Sequence, residues 1–206
     1  MLVAGCLPPP MSVGYVAMDP AGQGHVDVQG QVGGGAWPTY DAYGGGGVTG
    51  HAEPFVADRI SIPIGVGIGV ASNRRETFGL LPVRVGVRHR ATPTFAWGVG
   101  LGPSLAFAEL GAGISGVADL ELVAGVQRRD IGFSFGVRPA FGFDDYEATF
   151  YGLLEPTVAI PVGSRRTSLT VSVLGGPWVS FSAGGNLVGS DYGGFLGAAV
   201  GLYRRF

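Results

Sequence analysis

Residues 60–70 place branched aliphatic side chains at alternate positions. They read Ile-Ser-Ile-Pro-Ile-Gly-Val-Gly-Ile-Gly-Val, with Ile or Val at every even number and Ser, Pro or Gly at every odd one. Because side chains alternate sides along a β-strand, this segment predicts a strand with one bulky apolar face and one face of small residues. Bulk facing lipid and small residues facing a lumen are typical of a transmembrane β-barrel.

Ten segments repeat this alternation and are separated by turn-forming clusters. Each is long enough to cross the hydrocarbon layer, since a tilted strand needs about 9–11 residues to do so. The pattern predicts an all-β fold, a closed antiparallel up-and-down transmembrane β-barrel of about ten strands, or of eight if 25–57 folds differently. The ten segments are 25–36, 46–57, 59–71, 78–89, 93–107, 114–127, 130–143, 149–162, 167–181 and 194–206.

The predicted connections are of two kinds that alternate along the chain. Tight turns, such as 57–59, 88–92 and 127–130, are expected on the periplasmic side, together with both termini. Longer connections rich in Asp, Tyr or Gly, such as 37–45 and 182–193, are expected outside the cell. Aromatic residues near the predicted strand ends are expected to form an interfacial girdle. They are Trp37, Tyr40, Phe78, Phe143, Tyr146, Trp178 and Tyr192.

The C-terminal residues carry a more specific pattern. Residues 196–206 read Leu-Gly-Ala-Ala-Val-Gly-Leu-Tyr-Arg-Arg-Phe, so apolar residues alternate on the face of the terminal Phe206. This resembles the C-terminal signature of bacterial outer-membrane barrel proteins. Arg204 departs from that signature, because an aromatic or apolar residue is usual there. The resemblance implies a barrel in the bacterial outer membrane over 25–206 and implies no particular activity.

Cys6 is the only cysteine, which excludes an intrachain disulfide and a cysteine zinc site. Residues 3–6, Val-Ala-Gly-Cys, resemble the lipobox of bacterial lipoproteins, whose cysteine is acylated. A proline-rich stretch at 7–10 follows, as expected of a stiff tether. We interpret residues 1–24 as a partial signal peptide with a lipobox and a tether, and 25–206 as the barrel domain. A cysteine without any such role is the alternative.

The composition supports a membrane barrel. The chain is 46% hydrophobic and 14% charged, yet no run approaches the roughly 18 consecutive apolar residues that a spanning helix needs. The formal net charge of -2 gives no basic surface for nucleic acid. The expected partners are the lipid bilayer and small ions or solutes in the lumen.

Charged residues fall on the face opposite the bulky one. Buried charges are tolerated when they are paired, hydrogen-bonded or wet, and a lumen allows all three. The cluster is interpreted either as a selectivity or binding site or as a structural ion-pair network that ties strands together. We predict no cofactor and no metal site. The predicted lumen charge cluster consists of Glu53, Arg84, Arg88, Asp119, Glu121, Arg138 and Glu155.

Catalytic arrangements are hard to find in the sequence. The three histidines are scattered, and only His51, with Glu53 and Ser61, resembles the combinations that barrel enzymes use. The Gly-rich segments 65–69 and 98–102 lack the spacing and the following helix of phosphate-binding loops. We interpret their glycines as small lumen-facing residues that let strands approach closely.

The sequence therefore predicts an outer-membrane barrel with a structural or narrow-conduit role that is not an enzyme. The first alternative is a binding or adhesion module that uses surface loops. The second is a barrel enzyme with a lumenal His/Glu site.

Overall fold

A computed structural model of the protein describes residues 24–36, 43–72, 77–108, 111–128, 131–143, 147–184 and 187–206. Its strands are β1 (His25–Ala36), β2 (Tyr43–Glu53), β3 (Phe55–Ala57), β4 (Ile60–Ser61), β5 (Ile64–Ser72), β6 (Thr77–Thr92), β7 (Phe95–Ala108), β8 (Gly111–Arg128), β9 (Ile131–Phe143), β10 (Glu147–Val162), β11 (Ser164–Gly184) and β12 (Leu187–Arg205).

Two of the wall strands are interrupted by proline. Pro54 separates β2 from β3, and Pro63 lies between β4 and β5. Proline has no N–H to donate to the ladder, but the carbonyl of Pro54 accepts from Ile62 N–H at 3.0 Å and that of Pro63 from Gly86 N–H at 2.9 Å, so the chain keeps its course. When β2 with β3, and β4 with β5, are each taken as one crossing, the wall has ten strands.

The sheet closes on itself. Strand β1 pairs with both β2 and β12, and β6 pairs with both β5 and β7, in a continuous antiparallel ladder. Closure satisfies the backbone N–H and C=O groups of every strand, as hydrocarbon surroundings require. The predicted closed antiparallel barrel of about ten strands is confirmed. No helix in the described part of the chain is long and apolar enough to span a membrane.

Short connections lie at the barrel end where β1 begins and β12 ends. Phe206 N–H donates to the carbonyl of Gly24 at 3.1 Å and joins the C-terminal residue to the residue before β1. Gly163 links β10 to β11 with a φ of 71°, a conformation that favours glycine. The predicted turn at 88–92 is wrong in position: β6 continues to Thr92, and the turn comprises residues 93–94.

The opposite end has less loop than the sequence predicts. Strand β11 runs to Gly184 and β12 begins at Leu187, so most of the predicted connection 182–193 is strand. The hydrogen bonds between paired strands join backbone atoms and do not depend on the side chains. The Ser- and Gly-rich residues of 182–193 can therefore continue the β11–β12 hairpin although they lack the apolar alternation of the other strands. Residues 37–42, 73–76, 109–110, 144–146 and 185–186 lie outside the described residues. The predicted girdle residues Trp37, Tyr40 and Tyr146 are among them.

The outer face is apolar around the whole wall. On β5 the side chains of Ile64, Val66, Ile68 and Val70 are 44–66% exposed, and the glycines between them are more enclosed. Monomeric soluble proteins rarely expose apolar patches beyond a few hundred Å², whereas here each long strand contributes. Representatives from the other long strands are Val28, Val48, Val85, Val99, Leu120, Phe133, Phe150, Val171 and Leu196. This surface suits lipid.

Candidate functional site

The seven residues of the predicted lumen charge cluster lie inside the barrel. The exposed fraction ranges from 1% at Glu121 to 8% at Asp119. The cluster comes from five strands, because each of these residues occupies the inward position of its strand. The residues are Glu53 on β2, Arg84 and Arg88 on β6, Asp119 and Glu121 on β8, Arg138 on β9 and Glu155 on β10.

Arg88 is the centre of the first group of contacts. Its Nη1 donates to Glu53 Oε2, and its Nη2 donates to Glu121 Oε1 at 2.6 Å. Ser61 Oγ donates to Glu53 Oε1 at 2.5 Å, and His25 Nε2 lies 3.6 Å from Glu53 Oε2. The Arg88 guanidinium therefore joins β2 to β8 across the strands between them.

Arg84 makes the second group of contacts. Its Nε and Nη2 donate to the two carboxylate oxygens of Asp119 at 2.9 and 2.6 Å, and Nη2 also donates to Glu121 Oε2 at 3.3 Å. Bidentate arginine–carboxylate pairs are among the strongest side-chain hydrogen bonds. Arg138 Nη1 lies 3.9 Å from Asp119 Oδ2, and Glu155 interacts electrostatically with Arg138.

Acids and bases thus alternate in one continuous network from His25 to Arg138. A buried ion loses its hydration and is tolerated only when its partners are well placed. Since Glu121 accepts hydrogen bonds from both Arg84 and Arg88, each charge in the middle of the network is held from two sides. Removal of any central member would leave an uncompensated charge in the lumen.

Glycines on neighbouring strands make room for this network. A Cβ atom built on Gly100 would lie 2.6 Å from Arg84 Nη2 and 2.8 Å from Asp119 Oδ1. One on Gly65 would lie 2.9 Å from His51 Nδ1. Real Cβ atoms do not come this close to other heavy atoms, so a side chain at either glycine position would displace the end of the Arg84, Asp119 or His51 side chain. The space left open by each glycine is filled by a charged or polar side chain of another strand.

Asp27 lies on the inward face of β1 and is not a member of the predicted cluster. Its side chain is 3% exposed, and neither carboxylate oxygen has a hydrogen-bond partner among the described residues. It interacts electrostatically with Glu53 and Glu155, both of like charge, and more weakly with the oppositely charged Arg88. The alternation of β1 is the signal that places it there.

A second lumenal region is apolar and is not among the predicted features of the sequence. Leu153, Leu174, Trp178 and Phe195 are each at most 6% exposed and form one cluster with Val123, Ala140 and Ala199. The assignment of Trp178 to an interfacial girdle is wrong, because even-numbered residues of β11 from 168 to 178 face inward there. A barrel of this size has an interior that side chains nearly fill, and here apolar side chains fill it.

The candidate catalytic group is not assembled as a nucleophile with its base. Ser61 Oγ donates to Glu53, while His51 Nε2 contacts Thr49 Oγ1 at 3.3 Å. A nucleophile and its base need a direct hydrogen bond; the one that Ser61 makes is to a carboxylate that also accepts from Arg88, and the hydrogen bond described for His51 is to Thr49. Within the described ranges, no group of three or more His, Cys, Asp or Glu side chains could hold a metal ion.

Comparisons with known proteins give the fold and no family. No protein-family model matches the chain, and no curated protein matches it in sequence. An outer-membrane channel from Pseudomonas putida F1 is similar in structure, with a TM-score of 0.50 and 8% identity over 96% of this chain and 100% of that chain. Because the identity is so low, this likeness shows the fold alone, which is a closed antiparallel β-barrel.

Two further solved structures align with lower scores. The translocator domain of the autotransporter NalP from Neisseria meningitidis has a TM-score of 0.45 and 18% identity, over 89% of this chain and 88% of that chain. Ail, the attachment invasion locus protein of Yersinia pestis, has a TM-score of 0.40 and 9% identity, over 90% of this chain and 99% of that chain.

Proposed function

We propose that the protein is an integral β-barrel of the bacterial outer membrane, with a structural or narrow-conduit role and without catalysis. The observation that carries this proposal is the contrast between the two faces of the wall. Exposed apolar side chains occur on all the long strands, while the charged side chains of the network are buried in the lumen. Lipid outside and a filled, polar interior account for both faces.

The filled lumen supports a narrow path rather than a wide pore. The ion-pair network occupies part of the interior, and the cluster around Leu153 and Phe195 occupies another part. Small ions or solutes are the partners that fit the space left between them, and nucleic acid has no basic surface to bind. We propose that the charge cluster is primarily a structural network, since its central arginines are already satisfied by carboxylates.

The test of membrane placement is biochemical. We expect the protein to fractionate with outer membranes, to require detergent for extraction, and to change its mobility on a gel when boiled, because heat opens the barrel. Orientation is tested by protease treatment of intact cells: the end with the short connections and both termini should be protected on the periplasmic side. Recovery of the protein as a soluble monomer would contradict the proposal.

Acylation of Cys6 is a separate part of the proposal. It rests on the lipobox-like residues 3–6 and on the proline-rich stretch at 7–10, which lie outside the described residues. Mass spectrometry of the mature N-terminus should find a lipid-modified Cys6, and a Cys6→Ser variant should remain unprocessed at that position. An unmodified N-terminus elsewhere in the chain would refute the lipoprotein assignment.

A further inference from the structure

One buried carboxylate, that of Asp27, lies in the lumen outside the hydrogen-bonded network. Its side chain is 3% exposed, and neither of its oxygens has a hydrogen-bond partner among the described residues. Its ladder neighbours are His51 on β2 and Tyr203 on β12, and neither donates a hydrogen bond to it. An acidic side chain inside a membrane protein is costly and commonly marks the path of an ion.

The charges that act on Asp27 are mostly negative. It interacts most strongly with Glu155, then with Glu53, and least with Arg88. The guanidinium of Arg88 already donates to Glu53 and Glu121. Two strands separate β1 from β10 in the wall, so the interaction between Asp27 and Glu155 crosses the lumen. A positive ion between these two carboxylates would be attracted by both.

The buried charges of the lumen leave an excess of negative charge near Asp27. The three arginines of the network face four carboxylates, and Asp27 adds a fifth. His25, whose Nε2 lies 3.6 Å from Glu53 Oε2, offsets one of them when it is protonated. The fourth buried arginine, Arg90, lies over the ring of Phe55 and is not among the charges that act on Asp27. At least one negative charge therefore remains for a cation.

A buried hydroxyl without a partner is a second sign of a missing ligand in this part of the lumen. Thr170 of β11 is 1% exposed, and its Oγ1 has no hydrogen-bond partner among the described residues. Thr170 and Gln29, the next inward residue after Asp27, both pair with Gly201 of β12, which has no side chain to separate them. Carboxylate and hydroxyl oxygens are suitable ligands for a hard cation.

A cavity inside the barrel brings water and ions close to Asp27. Its volume is about 100 Å³, several times the roughly 10–15 Å³ that one water molecule needs. Thr49 of β2 lines this cavity, and the next inward residue of β2 is His51, which pairs with Asp27. An ion in the cavity is therefore about one inward position away from the Asp27 carboxylate.

We propose that the lumen binds a small monovalent cation, Na⁺ or K⁺, at Asp27 on the side that faces Glu155, so that the ions taken by the narrow path are cations. Rings of acidic side chains favour cations in channels for the same electrostatic reason. A divalent metal needs more protein oxygens, and within the described ranges no three His, Cys, Asp or Glu side chains come together to hold one. The inference rests on the proposed narrow conduit.

Urea unfolding in phosphatidylcholine vesicles measures this binding, because a ligand that binds only the folded barrel raises the midpoint of unfolding. In a series of buffers, Na⁺ replaces N-methyl-D-glucamine at constant ionic strength and constant chloride. N-methyl-D-glucamine is an organic cation too large for a site among packed side chains. The midpoint of the unmodified protein should rise with the Na⁺ concentration, and K⁺ should act in the same way.

Three variants test the location. Asp27→Asn should abolish the rise, and Glu155→Gln should reduce it. The matched control is Asp58→Asn, the same exchange at an exposed residue between β3 and β4, which should keep the full rise. In N-methyl-D-glucamine, Asp27→Asn should unfold at a higher urea concentration than the unmodified protein, because its amide needs no counter-ion. This advantage should shrink as Na⁺ is added.

The outcomes separate this inference from the proposed function. The boiling-dependent gel shift reports barrel folding and does not depend on the cation. A folded barrel with the same midpoint in Na⁺ and in N-methyl-D-glucamine would overturn the cation site, because Asp27 would then be neutral, and would leave the membrane barrel standing. An equal rise in Asp27→Asn and in the unmodified protein would overturn the location. A rise with Ca²⁺ and none with Na⁺ would overturn the monovalent class.

Discussion

The lumen is filled in two different ways. The ion-pair network joins β2, β6 and β8 through directional hydrogen bonds, whereas the apolar cluster joins residues of β8–β12 through packing. The regions adjoin where Arg138 of β9 pairs in register with Leu153 of β10. The outer face is equally apolar over both regions. Contact with lipid therefore restricts the residue types of the outer face alone. The interior can be filled either by paired charges or by packed apolar side chains.

The network should be the more sensitive region. Arg88→Ala leaves Glu53 and Glu121 without their shared guanidinium, and loss of one partner from a buried pair costs about 3–5 kcal/mol. Urea unfolding in lipid vesicles measures the change. Arg204→Ala, at an exposed position near the strand end, is the control and should stay within about 0.5 kcal/mol. An Arg88→Ala barrel with unchanged stability and altered ion preference would instead favour a selectivity role.

The apolar region should respond through cavity formation. Leu153 is fully buried, and Leu153→Ala should lower the free energy of unfolding by about 2–5 kcal/mol. Its neighbour Leu154 faces lipid and is 45% exposed. Leu154→Ala should cost less than half as much, because lipid chains fill the space that the side chain leaves. Equal losses for the two variants would show that the inward and outward faces are misassigned.

The glycine positions link the network to the strands around it. Gly100→Ala would push a methyl group into the Arg84–Asp119 pair, at an expected cost of about 1–3 kcal/mol. The matched control is Gly152→Ala, whose Cβ would lie 3.7 Å from Pro177 Cδ, an ordinary contact. If the control loses as much stability as Gly100→Ala, the loss belongs to strand glycines in general and not to the ion pair.

Substitution of Asp27 should change the free energy of unfolding least, and it should raise this free energy where the other substitutions lower it. Its carboxylate has no hydrogen-bond partner among the described residues and interacts with the like-charged Glu53 and Glu155. Asp27→Asn should therefore leave stability unchanged or raise it by about 1 kcal/mol at most, because Asn has nearly the same size and cannot take up the charge that burial and the like-charged neighbours disfavour. Glu53→Gln, which weakens the pair with Arg88, should lower stability in the same assay. A large loss for Asp27→Asn would reveal a partner outside the described residues.

The fold could be predicted because the outer face obeys one strict rule. Every outward residue must be compatible with lipid, so strands such as β5 show the alternation directly, from Ile64 to Val70. The lumenal charges could be located for the same reason, since Arg84 or Glu121 cannot face hydrocarbon. Their partners could not be derived, because pairing depends on register and on the space that residues such as Gly100 leave free.

The apolar part of the lumen obeys no such rule. Leu153 shares the inward face of Glu155, two residues further along the strand, but its residue type is the same as that of the lipid-facing Leu154. Trp178 was assigned to an interfacial girdle because it lies near a predicted strand end, yet β11 continues to Gly184 and buries it. Hydrophobicity identifies an apolar environment and does not distinguish lipid from a packed interior.

Conductance in a planar bilayer tests the central claim that the barrel is filled. The network and the apolar cluster leave room for a narrow path only, so the unmodified protein should show at most small, discrete currents. Arg88→Ala combined with Phe195→Ala removes one anchor from each region and should enlarge these currents, provided that the gel shift shows a folded barrel. A large, steady and nonselective conductance in the unmodified protein would contradict the account.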